Sequence, residues 1–177
     1  MKNRWSMIIV PAVAGIVFLA DQLSKAWVVR NLTPMQPWYP LPFLGDVLAF
    51  TYITNTGVAF GLLRDRGLVF ILIPLVVMIA IAIYARYLLT HRNLVRLSLG
   101  LQLGGALGNL ADRLRQGGHV TDFIDLGIGR YRWFTSNVAD ICIVTGVIIL
   151  AVLMTLERDQ PAKKIDPTGP GENVGEG

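Results

Sequence analysis

Seven aspartates, Asp21, Asp46, Asp65, Asp112, Asp122, Asp125 and Asp140, fall within or between long apolar stretches of this 177-residue chain. An aspartate inside an apolar helix costs roughly 2.5–3.5 kcal/mol on insertion scales, so each needs a partner or a wet cavity. Helical spacing offers partners to some. Asp21 and Lys25 stand one turn apart, Asn109, Asp112 and Arg113 share a helix face, and Asn137 precedes Asp140 by three. Ion pairs of this kind are commonly interhelical glue, worth about a kcal/mol each. Asp122 and Asp140 differ, because neither has a basic residue at helical spacing; only His119, three residues before Asp122, is a titratable base nearby. Asp125, three residues after Asp122, is an equal candidate by spacing alone. Two such carboxylates a few Å apart cannot both ionise and share a proton, so one can take a proton from water while the other protonates a carbonyl or leaving group.

Other chemistries fit poorly. None of the four serines, Ser6, Ser24, Ser98 and Ser136, lies in a G-x-S-x-G elbow. Ser24 and Lys25 are adjacent on a helix and point about 100° apart, which excludes a dyad between them. The chain lacks an H-E-x-x-H pair, and its two histidines, His91 and His119, leave few ligands for zinc, so neither metal nor cofactor is expected. Cys142, the lone cysteine, lies in an apolar run and reads as a packing residue. A basic stripe interleaved with aromatics is missing, and nucleic acid is not an expected partner.

The elements that must hold these groups are membrane helices. The chain is 53% hydrophobic and 16% charged, with a mean hydropathy of +0.53, too apolar for an ordinary soluble domain. At about 20 residues per crossing the length allows roughly four spans. Apolar segments run over about 7–29, 68–89, 94–111 and 138–156. The first resembles a signal peptide, with Ala20 before Asp21, but its apolar character resumes past Lys25 and favours an uncleaved helix. The third is weaker and carries Gly100, Gly104 and Gly108 on one face, a stripe suited to close helix contact. Ser136 or Asn137 is placed to cap the fourth. Residues 1–156 thus form one membrane domain, and 157–177 a polar, disordered tail.

Two long connections, about 31–67 and 114–135, fall on one side of the membrane. The first contains the strand-favouring run Leu48–Thr54 before Asn55 and Gly57, and the aromatics Trp38, Tyr39, Phe43, Phe50 and Tyr52, suited to an interfacial cradle or an aromatic belt. Lys and Arg divide eight against eight between the two sides; the dense Arg86, Arg92 and Arg96 on the short connection place both termini in the cytoplasm.

Five motifs in order, D-Q-L-S-K at 21–25, N-T-G-V-A-F at 55–60, G-N-L-A-D-R at 108–113, H-V-T-D-F-I-D at 119–125 and N-V-A-D at 137–140, resemble the lipoprotein signal peptidases, the bacterial type II signal peptidases. The resemblance implies an integral membrane protein, mainly α, with four transmembrane helices and a small extracytoplasmic β-rich cradle. It implies an aspartic endopeptidase of the bacterial inner membrane, with its active site near the periplasmic face. The enzyme would act as a monomer among bilayer lipids and cut diacylglyceryl-modified prolipoproteins on the N-terminal side of the lipidated cysteine. By motif position Asp122 and Asp140 are its catalytic pair, in preference to Asp125. Asn55, Gly57, Asn109, Arg113 and Asn137 would surround the pair and the substrate backbone, and Asp21, Lys25 and Asp112 would support the site. A small ion or proton transporter is the main alternative, but its relay acids belong toward the midplane rather than near one face.

Overall fold

The computed structural model describes residues 8–45, 47–55, 76, 79, 93–129, 131–133 and 135–158. Gly57, Asp46, Asp65, most of the second apolar segment and residues 159–177 lie outside the described residues; Val76 and Ile79 within that segment are helical.

Three long helices are described: α1 (Ile9–Asn31), α2 (Asn93–Arg115) and α3 (Val138–Arg158). α1 and the stretch Val138–Leu156 of α3 are long and apolar enough to cross a membrane. The other two of the four expected spans are not established this way: the second segment lies largely outside the described residues, and α2, though of spanning length, does not reach that apolarity. α2 is instead the central helix, and its polarity is hidden. Arg96, Ser98, Gln102, Asn109 and Asp112 are all buried along it.

Glycines explain how α2 sits so close to both neighbours. The expected stripe Gly100, Gly104, Gly108 faces Val13, then Ala14 and Val17, then Asp21 of α1. These positions ascend together, so α1 and α2 run parallel. Two glycines outside the stripe serve α3: Gly105 lies against Ala139 and Ile143, and Gly146 against Ser98 and Gln102, so α2 and α3 run antiparallel. Ser98 Oγ donates to the Gly146 carbonyl at 2.7 Å and accepts from Gln102 Nε2 at 3.1 Å, a polar clasp in the middle of the pair. A Cβ on Gly105 would stand 2.5 Å from the Ala139 carbonyl oxygen and one on Gly104 2.6 Å from that of Ala14. Both obstacles are backbone and cannot swing away. Gly104→Ala and Gly105→Ala should each cost about 1–3 kcal/mol through forced helix separation, measured as a fall in unfolding midpoint in detergent, whereas Gly15→Ala, with open space around it, should be neutral.

At one end of the helices lies a four-stranded antiparallel sheet in sequential order, made of β1 (Pro37–Trp38), β2 (Leu48–Asn55), β3 (Val120–Ile128) and β4 (Tyr131–Arg132). β2 coincides with the strand expected from its β-branched and aromatic residues. The second long connection supplies the longest strand, β3, which joins β2 from Asn55↔Val120 to Leu48↔Leu126 with an irregularity between Phe50 and Ile53. Gly117 and Gly118, at φ 62° and 99°, let the chain leave α2 and enter β3 within four residues. A chain of rings, Trp27 to Trp38 at 5.6 Å, Trp38 to Phe50 at 5.8 Å and Phe50 to Phe123 at 5.7 Å, ties the sheet to the end of α1.

Candidate active site

Asp122 enters the site from β3 and Asp140 from the first turn of α3. Asn137 links them. As the residue before α3 it caps the helix, its Oδ1 accepting from the Asp140 backbone N–H at 3.0 Å. That cap leaves only Nδ2 to face inward, where it donates to Asp122 Oδ1 at 2.6 Å and to Asn109 Oδ1 at 3.2 Å. Asn55, at the end of β2, donates to the other Asp122 oxygen at 2.9 Å. Asn109 donates through Nδ2 to Asp140 Oδ1 at 2.7 Å. Each carboxylate is therefore held by side-chain amides, and the oxygens of Asn109 and Asn137 are already committed elsewhere.

Lys25 fixes the orientation of Asn109. Its three protons meet three acceptors: Asp21 Oδ2 at 2.8 Å, Asn109 Oδ1 at 2.9 Å and Asp112 Oδ2 at 3.0 Å. An ammonium has no acceptor to offer, so Asn109 must turn its oxygen toward Lys25 and its NH₂ toward Asp140. Asp21, fully buried, also accepts from the Ala139 backbone N–H at 3.0 Å. Asp112 accepts from the Thr121 backbone N–H at 3.0 Å. One ionic cluster thus joins α1, α2, the start of α3 and the start of β3.

Comparison with known proteins decides what this arrangement belongs to. Residues 13–156 match the sequence profile of Peptidase_A8, signal peptidase (SPase) II. The chain belongs to the signal peptidase II family. It is 45% identical to a lipoprotein signal peptidase of Moorella thermoacetica over 85% of this chain and 95% of the relative. To that of Bacillus subtilis it is 36% identical, over 86% and 96%. Its fold is similar to a bacterial membrane enzyme solved by the in meso method at 2.3 Å resolution, with a TM-score of 0.76 and 26% identity over 92% of this chain and 94% of that one. A second such structure, at 1.9 Å, gives a TM-score of 0.74 and 27% identity over 90% and 96%.

In this signal peptidase II chain nine of the ten residues expected at the site are described, and eight of them, Asp21, Lys25, Asn55, Asn109, Asp112, Asp122, Asn137 and Asp140, form the one network above. Arg113 is the ninth. The expected partnership of Asp112 with Arg113 on their shared helix gives way to a cross-helix one, since Asp112 takes its cation from Lys25 on α1. The Arg113 Nε is buried without a hydrogen-bond partner among the described residues.

Helical spacing also misplaced His119, Asp122 and Asp125, which lie on or beside a strand. Successive strand residues face opposite ways, so Asp122 and Asp125 project from opposite faces of the sheet. Asp125 accepts from Thr51 Oγ1 at 2.9 Å and pairs with Arg132 Nε at 3.1 Å. His119 Nδ1 donates to the Gln116 carbonyl at 2.9 Å and closes the turn. Two residues of the network escaped the sequence reading. Gln22 Nε2 bridges Asp21 and Asp112, both at 3.1 Å, while its Oε1 accepts from Arg115 at 2.6 Å. Thr121 is buried with its N–H, carbonyl and hydroxyl all engaged. Gln22 reaches Asp112 and Arg115 across to α2, contacts that spacing along a single helix does not reveal; Thr121 acts largely through its backbone.

Burial pushes the Asp122 carboxyl up to about 6; the Asn55 amide opposes the shift, the Asp140 charge adds to it and the Asn137 amide opposes it. Asp122 therefore holds a proton more tightly folded than unfolded. Its contribution to stability is complete below about pH 4 and is lost as pH rises through about 6. Because Asp140 is one of the groups that raise it, Asp140→Asn should lower the Asp122 midpoint. Infrared titration of the carboxyl stretch checks this, and a midpoint that stays or rises would show the two carboxyls to be uncoupled.

Proposed function

We propose that this chain is an intramembrane aspartic endopeptidase that removes the signal peptide from diacylglyceryl-modified bacterial prolipoproteins, with Asp122 and Asp140 as its catalytic pair. The observation that carries the proposal is that both carboxylates are anchored in one amide network, on two different elements, at the mouth of an apolar span. Asp140 lies two residues into that 19-residue span, about 3 Å from its end and far from the midplane of a core about 30 Å thick. Such a depth suits a lipid-anchored substrate cut at the membrane face better than a proton relay through the centre.

In the proposed reaction Asp122 enters protonated and Asp140 ionised. Asp140 takes a proton from water as the water oxygen bonds to the scissile carbonyl carbon, while Asp122 hydrogen-bonds the carbonyl oxygen and stabilises the tetrahedral intermediate. Collapse breaks the C–N bond, and the leaving nitrogen receives a proton from the pair, which returns to one shared proton. Arg113, with its buried Nε unpartnered among the described residues, would hold a substrate carbonyl. Asn55 and Gly57 would meet the unwound substrate backbone.

The domain would comprise residues 1–156 as a monomer in the inner membrane, both termini cytoplasmic and the sheet periplasmic. Parallel α1 and α2 support the four-span count. A return across the slab between Asn55 and Asn93 would supply the further span, and the apolar run 68–89 has the length and composition for one. The acyl chains of the substrate would remain in the bilayer, each buried CH₂ adding about 0.8 kcal/mol to anchoring. The test is cleavage in detergent of lipidated and unlipidated precursor side by side. Cleavage of the lipidated form alone, immediately before the modified cysteine, is expected; equal cleavage of both would remove lipid from the recognition.

A further inference from the structure

The β3–β4 hairpin lies beyond the aspartates and has no part in the reaction above. Its two strands pair with Ile128 opposite Tyr131 and Gly127 opposite Arg132, and Trp133 N–H donates to the Leu126 carbonyl at 2.8 Å. Strand alternation then sorts its residues by face. Leu126, Ile128, Tyr131 and Trp133 project to one side and are 41%, 67%, 87% and 67% exposed. Asp125, Gly127 and Arg132 project to the other, where the Asp125–Arg132 ion pair is joined by Thr51. Among the described residues the hairpin is a two-sided ribbon with its exposed large apolar side chains on one face.

Its root fixes where that face can lie. Ile124 and Ser136 exchange backbone hydrogen bonds at 2.8 and 3.0 Å, closing the hairpin one residue before Asn137 caps α3. The root therefore stands at the mouth of an apolar span. From Ile124 to Ile128 the strand advances about 13 Å, comparable with the headgroup layer and the first part of the chains beside it. A ribbon that short, rooted at that boundary, with four bulky apolar groups on one face, is suited to lie in the interface as amphipathic helices do.

We infer that the Leu126–Ile128–Tyr131–Trp133 face docks on bilayer lipid at the mouth of α3 and sets the depth of β3, and with it of Asp122, relative to the membrane surface. The inference rests on the proposal that α3 spans the membrane. Asp122 is only two residues from the hairpin root, with the intervening Phe123 held against Phe50, so depth set at the ribbon is passed to the carboxylate through one strand.

The test uses the full chain in vesicles of phosphatidylcholine and phosphatidylglycerol, with Trp5→Phe, Trp27→Phe and Trp38→Phe leaving Trp133 as the only tryptophan. A spin label on the lipid near the glycerol should remove more than half of the Trp133 emission, and aqueous iodide should remove little. A parallel chain with all four tryptophans changed to Phe and Val147→Trp reports α3 itself, with quenching by a label near the chain end. If Val147→Trp is quenched while Trp133 responds to iodide and to neither lipid label, the hairpin stands in water and the inference fails alone. If Trp133 is shielded from iodide and lipid labels alike, increasingly so at higher protein-to-lipid ratio, a second copy covers the face and the lipid assignment fails. If Val147→Trp is not quenched, the spanning assignment falls and takes the hairpin with it.

Discussion

Asp122→Asn and Asp140→Asn should each reduce cleavage of lipidated precursor by at least about 10³-fold, because each removes one end of the proton exchange that the proposed reaction requires. The geometry predicts that both variants fold. Asn at 140 can still accept from Asn109 through its oxygen, so the 2.7 Å contact survives. At 122 the new NH₂ must face one of two donors, and the softer is Asn55, since Asn137 is committed to its helix cap. Helix content and detergent elution should match the parent. Asp125→Asn should instead weaken the sheet through loss of the Arg132 pair and retain substantial turnover. Appreciable cleavage by the Asp122 or Asp140 variant, or complete loss in the Asp125 variant with an intact fold, would displace the assignment.

Lys25→Met should be the most damaging change outside the pair. It leaves Asp21 and Asp112, both buried, facing one another through Gln22 without a cation, and breaking a buried ion pair from one side costs about 3–5 kcal/mol. It also frees Asn109 to rotate, so loss of activity should exceed what the loss of folded protein explains. Lys25→Arg should not restore the parent, because a planar guanidinium cannot direct three donors to acceptors placed around a single ammonium nitrogen. Neutralising the acids in the same chain, Asp21→Asn with Asp112→Asn and Lys25→Met, should recover much of the stability and little of the activity. Thermal unfolding in detergent beside cleavage of the lipidated precursor separates the two; a Lys25→Met chain as stable as the parent would contradict the cluster.

The sequence made the helices legible for simple reasons. α1 and α3 are long apolar runs in a chain that is over half hydrophobic, and the cap of α3 is written in Asn137 three residues before Asp140. β2 was legible from its alternating β-branched and aromatic residues. β3 was less so, because its charged residues at 122 and 125 suit a helical spacing as well as a strand, and its other members give no clean alternation. The pairing of polar groups was least legible. Spacing along one helix finds Asp21 with Lys25, but it assigns Asp112 to Arg113, its sequence neighbour, whereas burial between α1 and α2 brings Lys25 to it instead.

By itself the sequence placed this chain among membrane proteins, and its motifs named the amides and aspartates of the candidate site. Tertiary structure decided which atom faces which. An amide has a donor end and an acceptor end that sequence cannot tell apart, and the choice is made by groups from other helices: Lys25, able only to donate, turns Asn109 toward Asp140, and the unmet N–H groups at the start of α3 turn Asn137 toward Asp122. The separation of Asp122 from Asp125 has the same origin, since the two differ only in which side of a strand they leave.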